Sequence, residues 1–362
     1  MKIAMDVLCA EFGGIRTYVE QVTGQWGRVF PEDEVHVFLR SGSTLDTPGL
    51  HRHELHVRRP DVVGRPWVQT TTMRSTIRAL RPDVVLATAP TTSVLPFGAP
   101  LVVTILDLRA ELRPHQFSGA RRLLRAVSYR RTYRLADGFV SISHRSLDDL
   151  HRLHPTCRTK PGVVAHLGAD HVRSWPTARR EGPAIAFAHH TNKRPELAVG
   201  AWARLRRDGV DVPDLLLLGV SPALREELDA LIGRLGVQDS VRLAPFLPED
   251  EFRRRISEAP LIVFPSDFEG FGLPVVEGMA LGVPVVIGPD AGLLEVAGGH
   301  AIVMDGWSVD ALADAVVETL DLSQGDLDAA RDWAETFAWE RTIRQTRAAL
   351  AGVAAAHTRN PQ

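Results

Sequence analysis

The run from Leu261 to Gly288, LIVFPSDFEGFGLPVVEGMALGVPVVIG, limits what this chain can fold into more than any other stretch. Its two ends, Leu261–Phe264 and Val283–Ile287, are apolar, rich in β-branched residues and too short for helices, so they read as buried strands. Between them lie a glycine-rich turn and enough residues for one short helix, which makes a βαβ unit. Pro274 suits the first helical position, where its missing N–H is no loss. The amides around Gly272 and Leu273 then form a helix N-terminus, a ready site for an anion. Glu269 falls in the loop before that helix and Glu277 about one turn inside it. Two carboxylates would therefore flank a backbone-held anion, the arrangement that a phosphate placed between sugars requires.

The same alternation runs through the rest of the chain and points to doubly wound α/β domains. Strands are expected at Lys2–Val7, Val35–Leu39, Val84–Thr88, Leu101–Leu106 and Gly138–Ser141. A second set is expected at Ala184–Ala188, Asp214–Leu218, Val241–Leu243 and the two strands above. The polar, proline-bearing segment His171–Pro183 reads as a linker. At 362 residues the chain has room for two domains that each bury a core. The expected division is 1–172, 173–338 and a closing helix with a fraying tail over 339–362.

Net charge is −2, but it is unevenly spread. Residues 1–173 carry 24 Lys+Arg against 16 Asp+Glu, and residues 174–362 carry 18 against 28. A basic half beside an acidic one suits separate duties, and the basic half could face an acidic acceptor or an anionic bilayer. Its arginines gather in GARRLLRAVSYRRTYRLADG. On a helix, Arg121, Arg122 and Arg125 lie nearly opposite Arg130, Arg131 and Arg134, so no single basic stripe forms and a solvated structural helix is expected. Two cysteines, Cys9 and Cys157, give no disulfide framework and fit a reducing cytoplasm. The opening residues contain no apolar signal core. Val84–Leu106 is free of charge, yet Pro90, Pro96 and Pro100 break it into strands and a loop rather than a membrane span.

Other candidate residues emerge one by one. Gly13 and Gly14 follow the first strand and open a helix with apolar positions Ile15, Val19, Val22, Trp26 and Val29; paired glycines let backbone amides approach a ligand. The pair is not the G-x-G-x-x-G of dehydrogenases. Only Lys2, Lys160 and Lys193 among 42 basic residues are lysine, so each is expected where a compact, rotatable ammonium is needed. Lys193, with Arg194 beside it, follows the first strand of the second domain, where α/β sheets bind ligands. His189 and His190 have no third ligand in view. His51 and His53 share one face of an expected strand, also with no third partner, and read as solvated structure. Asp326-Leu327-Asp328 lies in a late polar helix. No HExxH, GxSxG or Walker pattern occurs.

Taken with its flanks, Ser266–Pro284 resembles the E-x7-E signature of retaining glycosyltransferases of the GT-B fold, chiefly glycosyltransferase family 4. The glycine pair is similar to that family's GGxxxY loop, and FAHHTNKRPEL to its post-strand basic loop. VVTILDLRAELRP resembles the VVTIHDL segment of mannosyltransferase-like members, with Leu106 at the histidine position and Asp107 retained. DGFVSISHRSLDDL, VVAHLGAD and FAWERT extend the resemblance from Gly13 to about Trp339.

The resemblance implies two Rossmann-like domains facing a central cleft, with a C-terminal helix crossing back to the first. It implies metal-independent, retaining transfer of a hexose from a GDP- or UDP-sugar to a saccharide, lipid-linked or small-molecule acceptor, with mannose favoured. No cofactor beyond that cosubstrate is expected. Nor is a nucleic-acid partner; peripheral contact with the inner face of the membrane stays open. Glu269 is expected on the sugar, Glu277 on the ribose and Lys193 on the leaving phosphate, with Asp107 as a further catalytic group. Gly13, Gly14, Arg194, Gly270, Phe271, Gly272 and Leu273 complete the donor contacts. The resemblance also calls for an arginine shortly before Lys193, and none is evident. His115, His144 and His166 are the candidates to replace the histidine lost at Leu106. A non-catalytic partner subunit, or a GT-B phosphorylase or epimerase, would use the same scaffold.

Overall fold

The computed structural model describes residues 1–10, 13–116 and 119–359; the side chains of Val62, Ala120 and Arg121 and the tail residues 360–362 lie outside that description. The chain divides into two compact units, Met1–Gly168 with Ala338–Gln362, and Ala169–Phe337.

In the first unit, β1 (Lys2–Asp6), β2 (Glu34–Arg40), β3 (His51–Leu55), β4 (Val84–Ala87), β5 (Leu101–Ile105), β6 (Gly138–Ser141) and β7 (Gly162–Val164) form one parallel sheet in the order β3-β2-β1-β4-β5-β6-β7. The order reverses direction between β1 and β4, so the loops leaving those strands open a crevice at the switch point. β4 and β5 are buried throughout, as strands covered on both faces must be. The helix Gly13–Val29 buries Tyr18, Val19, Val22, Thr23 and Trp26. Ile15 and Val29, at the two ends of the helix, are only half-buried, whereas Tyr18 turns inward and its hydroxyl shares a 3.2 Å hydrogen bond with Thr104. Burial pushes the Tyr18 phenol up to about 12, so it stays a neutral donor or acceptor.

The closing helix Trp339–Arg359 belongs to this first unit and is pinned to it at its start and near its middle. Gly168 admits the backbone of Trp339 so closely that a Cβ there would sit 2.3 Å from the Trp339 nitrogen. Farther along, Arg347 donates to Asp33, which also receives the N-terminal ammonium and the Trp26 indole N–H. Burial opposes ionisation of Asp33, but Arg347 and the ammonium outweigh it and hold the carboxyl below its usual range.

The second unit repeats the plan. β8 (Ala184–Phe187), β9 (Leu215–Leu218), β10 (Val241–Leu243), β11 (Ile262–Phe264), β12 (Val285–Ile287) and β13 (Ile302–Val303) form a parallel sheet in the order β10-β9-β8-β11-β12-β13. Its switch point falls between β8 and β11. Leu205, Trp202, Leu217, Val263 and Leu312 pack into its core from the sheet and the helices Pro195–Arg207 and Val309–Glu318. The segment read as a linker, 171–183, lies within this unit from its first residue.

Several local expectations are revised. β7 and β13 are edge strands of three and two residues, too short for a period to register. Pro274 occupies the second helical position, since Gly272 is the cap and the helix runs Leu273–Ala280. His51 and His53 do have a third partner: the β2–β3 register sets His36 opposite His51, and His36 Nδ1 lies 2.9 Å from His53 Nε2. Asp326 proves to be the N3 residue of a capping box with Ser323, a structural use of that acidic pair. The basic segment is helical over Gly119–Leu135, and it exposes Leu123, Leu124 and Val127 among its arginines. Lys160 places its ammonium on the carbonyls of Tyr133, Arg134 and Ala136 at that helix's C-terminus, a rotatable point charge used for capping. No described helix is long and apolar enough to cross a membrane.

Candidate active site

The second unit's switch point is where β8 and β11 deliver their loops, and the two loops are bonded together. Asp267 N–H donates to the Asn192 carbonyl at 2.9 Å, and Asn192 Nδ2 donates to the Phe268 carbonyl at 2.9 Å. Lys193 and Glu269 meet across this seam, Nζ to Oε1 at 2.6 Å, with side chains 8% and 13% exposed. Asn192 Nδ2 reaches the same oxygen at 3.2 Å. The Lys193 ammonium also stands 4.2 Å from the centroid of the Phe264 ring, which supplies a negative π-face. A charged pair this dry must be held by further bonds, and it is. Asp290, cap of the helix Ala291–Ala297, accepts from Glu269 N–H and Gly292 N–H and so fixes the backbone that carries Glu269. Arg194, in the left-handed region at φ 50°, turns into Glu196 and Asp267 and braces the seam.

The helix Leu273–Ala280 starts at Gly272, whose φ of 94° turns the chain so that the first amides face the end of the sheet. Gly270 precedes that turn. Phe271 and Leu273 are buried side chains, Phe271 packing edge-on to Phe337 at 5.9 Å, so at these two positions the backbone is what a ligand would meet. Glu277 is buried one turn into the helix, and its Oε1 lies 3.0 Å from His171 Nε2. His171 in turn packs edge-on against Trp175. The two carboxylates thus stand on either side of a helix N-terminus, and each is held by a partner of its own.

In the first unit, Gly13 and Gly14 open their helix just past the carboxyl end of β1, at that sheet's own switch point. A Cβ at either would meet nothing within 4 Å, so the surface there is open to a ligand. Beneath it Asp6 is buried and accepts from Thr92, Gln69 and the Leu8 amide. Burial raises its pKa against those bonds. Asp107 accepts from the Arg109 amide at 2.8 Å and starts the turn Arg109–Leu112, a positioning bond that fixes one oxygen of its carboxylate. Leu106 uses its carbonyl to accept from Ser146. Of the three histidines, His144 and His166 pair edge-on at 5.8 Å, while His115 stands exposed in the turn Pro114–Gln116.

Residues 13–168 match the Glycosyl transferase 4-like domain, and residues 185–336 match Glycosyl transferases group 1. The chain belongs to glycosyltransferase family 4. It is 36% identical over 109 residues to O-antigen chain mannosyltransferase B of Escherichia coli, covering 29% of each chain. It is 29% identical over 240 residues to D-inositol 3-phosphate glycosyltransferase of Mycolicibacterium smegmatis, covering 61% of this chain and 54% of that one. The matched stretches thus span less than two thirds of either relative. Anabaena HepE, solved in complex with UDP-glucose, shares the fold at 17% identity, covering 97% of this chain and 100% of that chain with a TM-score of 0.76. The fold of this family 4 glycosyltransferase is GT-B.

Three members of the site escaped the sequence. Asn192 was visible beside Lys193, but nothing marked its amide as the strap between loops. Asp290 carries the ordinary signature of a helix cap, and only folding brings it under Glu269. His171 sits in a polar, proline-bearing segment that reads as a linker, and its partner is 106 positions away.

Proposed function

We propose that this glycosyltransferase moves a hexose, with retention of anomeric configuration, from a nucleotide-diphosphate sugar to a saccharide, lipid-linked or small-molecule acceptor. The buried Lys193–Glu269 pair at the second switch point carries the proposal, because it sets a fixed cation and a sugar-holding carboxylate 2.6 Å apart. Glu269 accepts hydrogen bonds from the hexose hydroxyls, and Glu277, steadied by His171, accepts those of the ribose. Lys193 and the Gly272–Leu273 helix N-terminus stabilise the diphosphate as it departs, a task that positive charge performs whether supplied by a metal or by protein. The acceptor oxygen forms its bond to the anomeric carbon on the face from which the phosphate oxygen leaves, and the acceptor proton passes to that phosphate. Glu269 then positions the sugar instead of bonding to it, and Asp107 shapes the acceptor side.

Mannose from GDP-mannose is the favoured donor, ahead of UDP-hexoses; the mannosyltransferase named above supports this lean, and the UDP-glucose complex of HepE keeps the second arm in play. A thermal-shift panel of GDP, UDP and ADP, each free and as its sugar, tests the reading. The expected result is a melting-temperature rise that is largest with GDP-mannose. No rise with any nucleotide sugar would sink the donor assignment. Should binding occur without turnover, recovery of transfer in Leu106→His would identify a partner subunit that has lost its catalytic group.

We place the protein in the cytoplasm, supported by its two free cysteines, with peripheral contact to anionic lipid through the first unit. The support for that contact is the exposure of Leu123, Leu124 and Val127 beside Arg122, Arg130 and Arg134. The expected result is co-sedimentation with phosphatidylglycerol vesicles that falls with salt and is lost in Leu123→Asp/Val127→Asp; equal recovery with neutral vesicles would rule out the electrostatic part.

A further inference from the structure

The edge of the first unit's sheet gathers imidazoles that the transfer reaction does not use. Glu34 and His36 share one face of β2, two residues apart, and His51 and His53 share the same face of β3. The parallel register sets His36 opposite His51 and Phe38 opposite His53. His36 is buried, with its ring stacked on that of His51 at 4.7 Å. Its Nε2 lies 3.0 Å from Glu34 Oε1, and its Nδ1 lies 2.9 Å from His53 Nε2. Phe38 stacks on the His53 ring at 4.7 Å and fixes its plane. One ligating atom from each of Glu34, His36 and His51 falls within 4.8 Å of the others.

We infer that Glu34, His36 and His51 form a binding site for one divalent transition ion of the Zn2+ type, with His53 as the residue that orients His36. The donor set is two imidazoles and a carboxylate, which suits borderline ions and not Mg2+ or Ca2+, whose preference is for oxygen alone. The 3.0 Å between His36 Nε2 and Glu34 Oε1 needs to open by only about 0.4 Å to reach the ~3.4 Å that separates two ligands on one tetrahedral ion, each about 2.1 Å from the metal. His51 and Glu34 are exposed and can close the remaining gap by small rotations, whereas buried His36 cannot move far. When an ion takes Nε2, the neutral His36 ring carries its proton on Nδ1 and donates to His53 Nε2, the outer-shell bond that metal-bound histidines ordinarily make. Lys2, whose half-buried side chain brings its ammonium to 3.1 Å from the same Glu34 oxygen, is the cation that the metal displaces.

The place of the site gives it a structural duty. Glu34 and His51 begin their strands, and Glu34 pairs in register with Lys2 at the start of β1, while the Gly13–Gly14 turn follows the carboxyl end of β1. The ion would add a coordinate tie between the outermost strand, β3, and its single neighbour, β2, beside the backbone bonds and the imidazole contacts already there.

Calorimetric titration of the tag-free, chelator-treated chain with Zn2+ alone tests this. One equivalent should bind and raise the melting temperature, and Mg2+ at the same concentration should do neither. His51→Ala and Glu34→Gln, both at exposed positions, should each weaken Zn2+ at least tenfold while folding normally and keeping donor binding. Co2+ in place of Zn2+ should show the intense visible bands of a four-coordinate ion, lost in both variants. Failure of the wild-type chain to bind Zn2+, or equal binding by the two variants, would overturn the assignment.

Discussion

Lys193→Ala is expected to lower kcat by roughly 10²–10³-fold, the loss seen when one fixed stabiliser of a developing anion is removed from a dry site. The substitution has a second effect that must be separated from the first. Lys193 is buried and Glu269 nearly so, and deleting the ammonium leaves a carboxylate without its cation; a broken buried pair destabilises by about 3–5 kcal/mol. Partial exposure of Glu269, at 13%, and its bond from Asn192 place the expected loss toward or below the lower end of that range. The double variant Lys193→Ala/Glu269→Gln resolves the two effects. Stability should return toward wild type in the double variant, because the orphaned charge is gone, while turnover should stay at the floor set by Lys193→Ala. Glu269→Gln alone should keep the fold and lose mainly sugar recognition. Near-normal turnover in Lys193→Ala would remove it from the leaving-group role, leaving the pair as a structural strap between the β8 and β11 loops.

What the sequence could and could not disclose about this site follows from which interactions are local. Glu269, Gly272 and Glu277 are set by one βαβ unit, so spacing alone placed one carboxylate before the helix and the other a turn inside it. Lys193 was legible because the chain is so rich in arginine that a lysine stands out. Its salt bridge with Glu269 was not, since the strands delivering the two residues are adjacent only through a crossover in strand order. The same limit hid His171 behind Glu277 and His36 behind His51: each pair depends on register or on a distant return of the chain, which no periodicity records. Strand positions fared better. β4 and β11 are buried on both faces and appear as uninterrupted apolar runs, and β5 is broken only by Thr104, while the edge strands β7 and β13 bury little and left no pattern. Arg194 shows another limit: a cation beside a ligand lysine looks like a second phosphate contact, and only the fold shows its left-handed backbone setting the guanidinium against Asp267 and Glu196.

Gly272→Ala should disrupt the donor half at the point where the helix Leu273–Ala280 begins. At φ 94° the backbone lies where an L side chain is strained, and the new Cβ would sit 2.5 Å from Leu293 Cδ2. Leu293 is fully buried in the helix Ala291–Ala297 and cannot swing away. Strain and overpacking together should cost about 2–4 kcal/mol, which for a unit of this size lowers the melting temperature by about 5–15 °C. Relief can come only by shifting the start of the helix Leu273–Ala280, so the amides and Glu277 move with it. Nucleotide affinity should therefore fall at least tenfold even where the protein is still folded. Gly14→Ala supplies the contrast. Its Cβ would meet nothing within 4 Å, its φ lies outside the left-handed range, and alanine is the better helix residue by up to about 1 kcal/mol. It should be as stable as wild type or slightly more so, yet lose turnover at least tenfold, because the new methyl covers the open backbone surface that Gly14 offers a ligand at the carboxyl end of β1. A stable, fully active Gly14→Ala would remove the glycine pair from ligand binding, and an unperturbed Gly272→Ala would mean that the helix N-terminus does not set the donor's position.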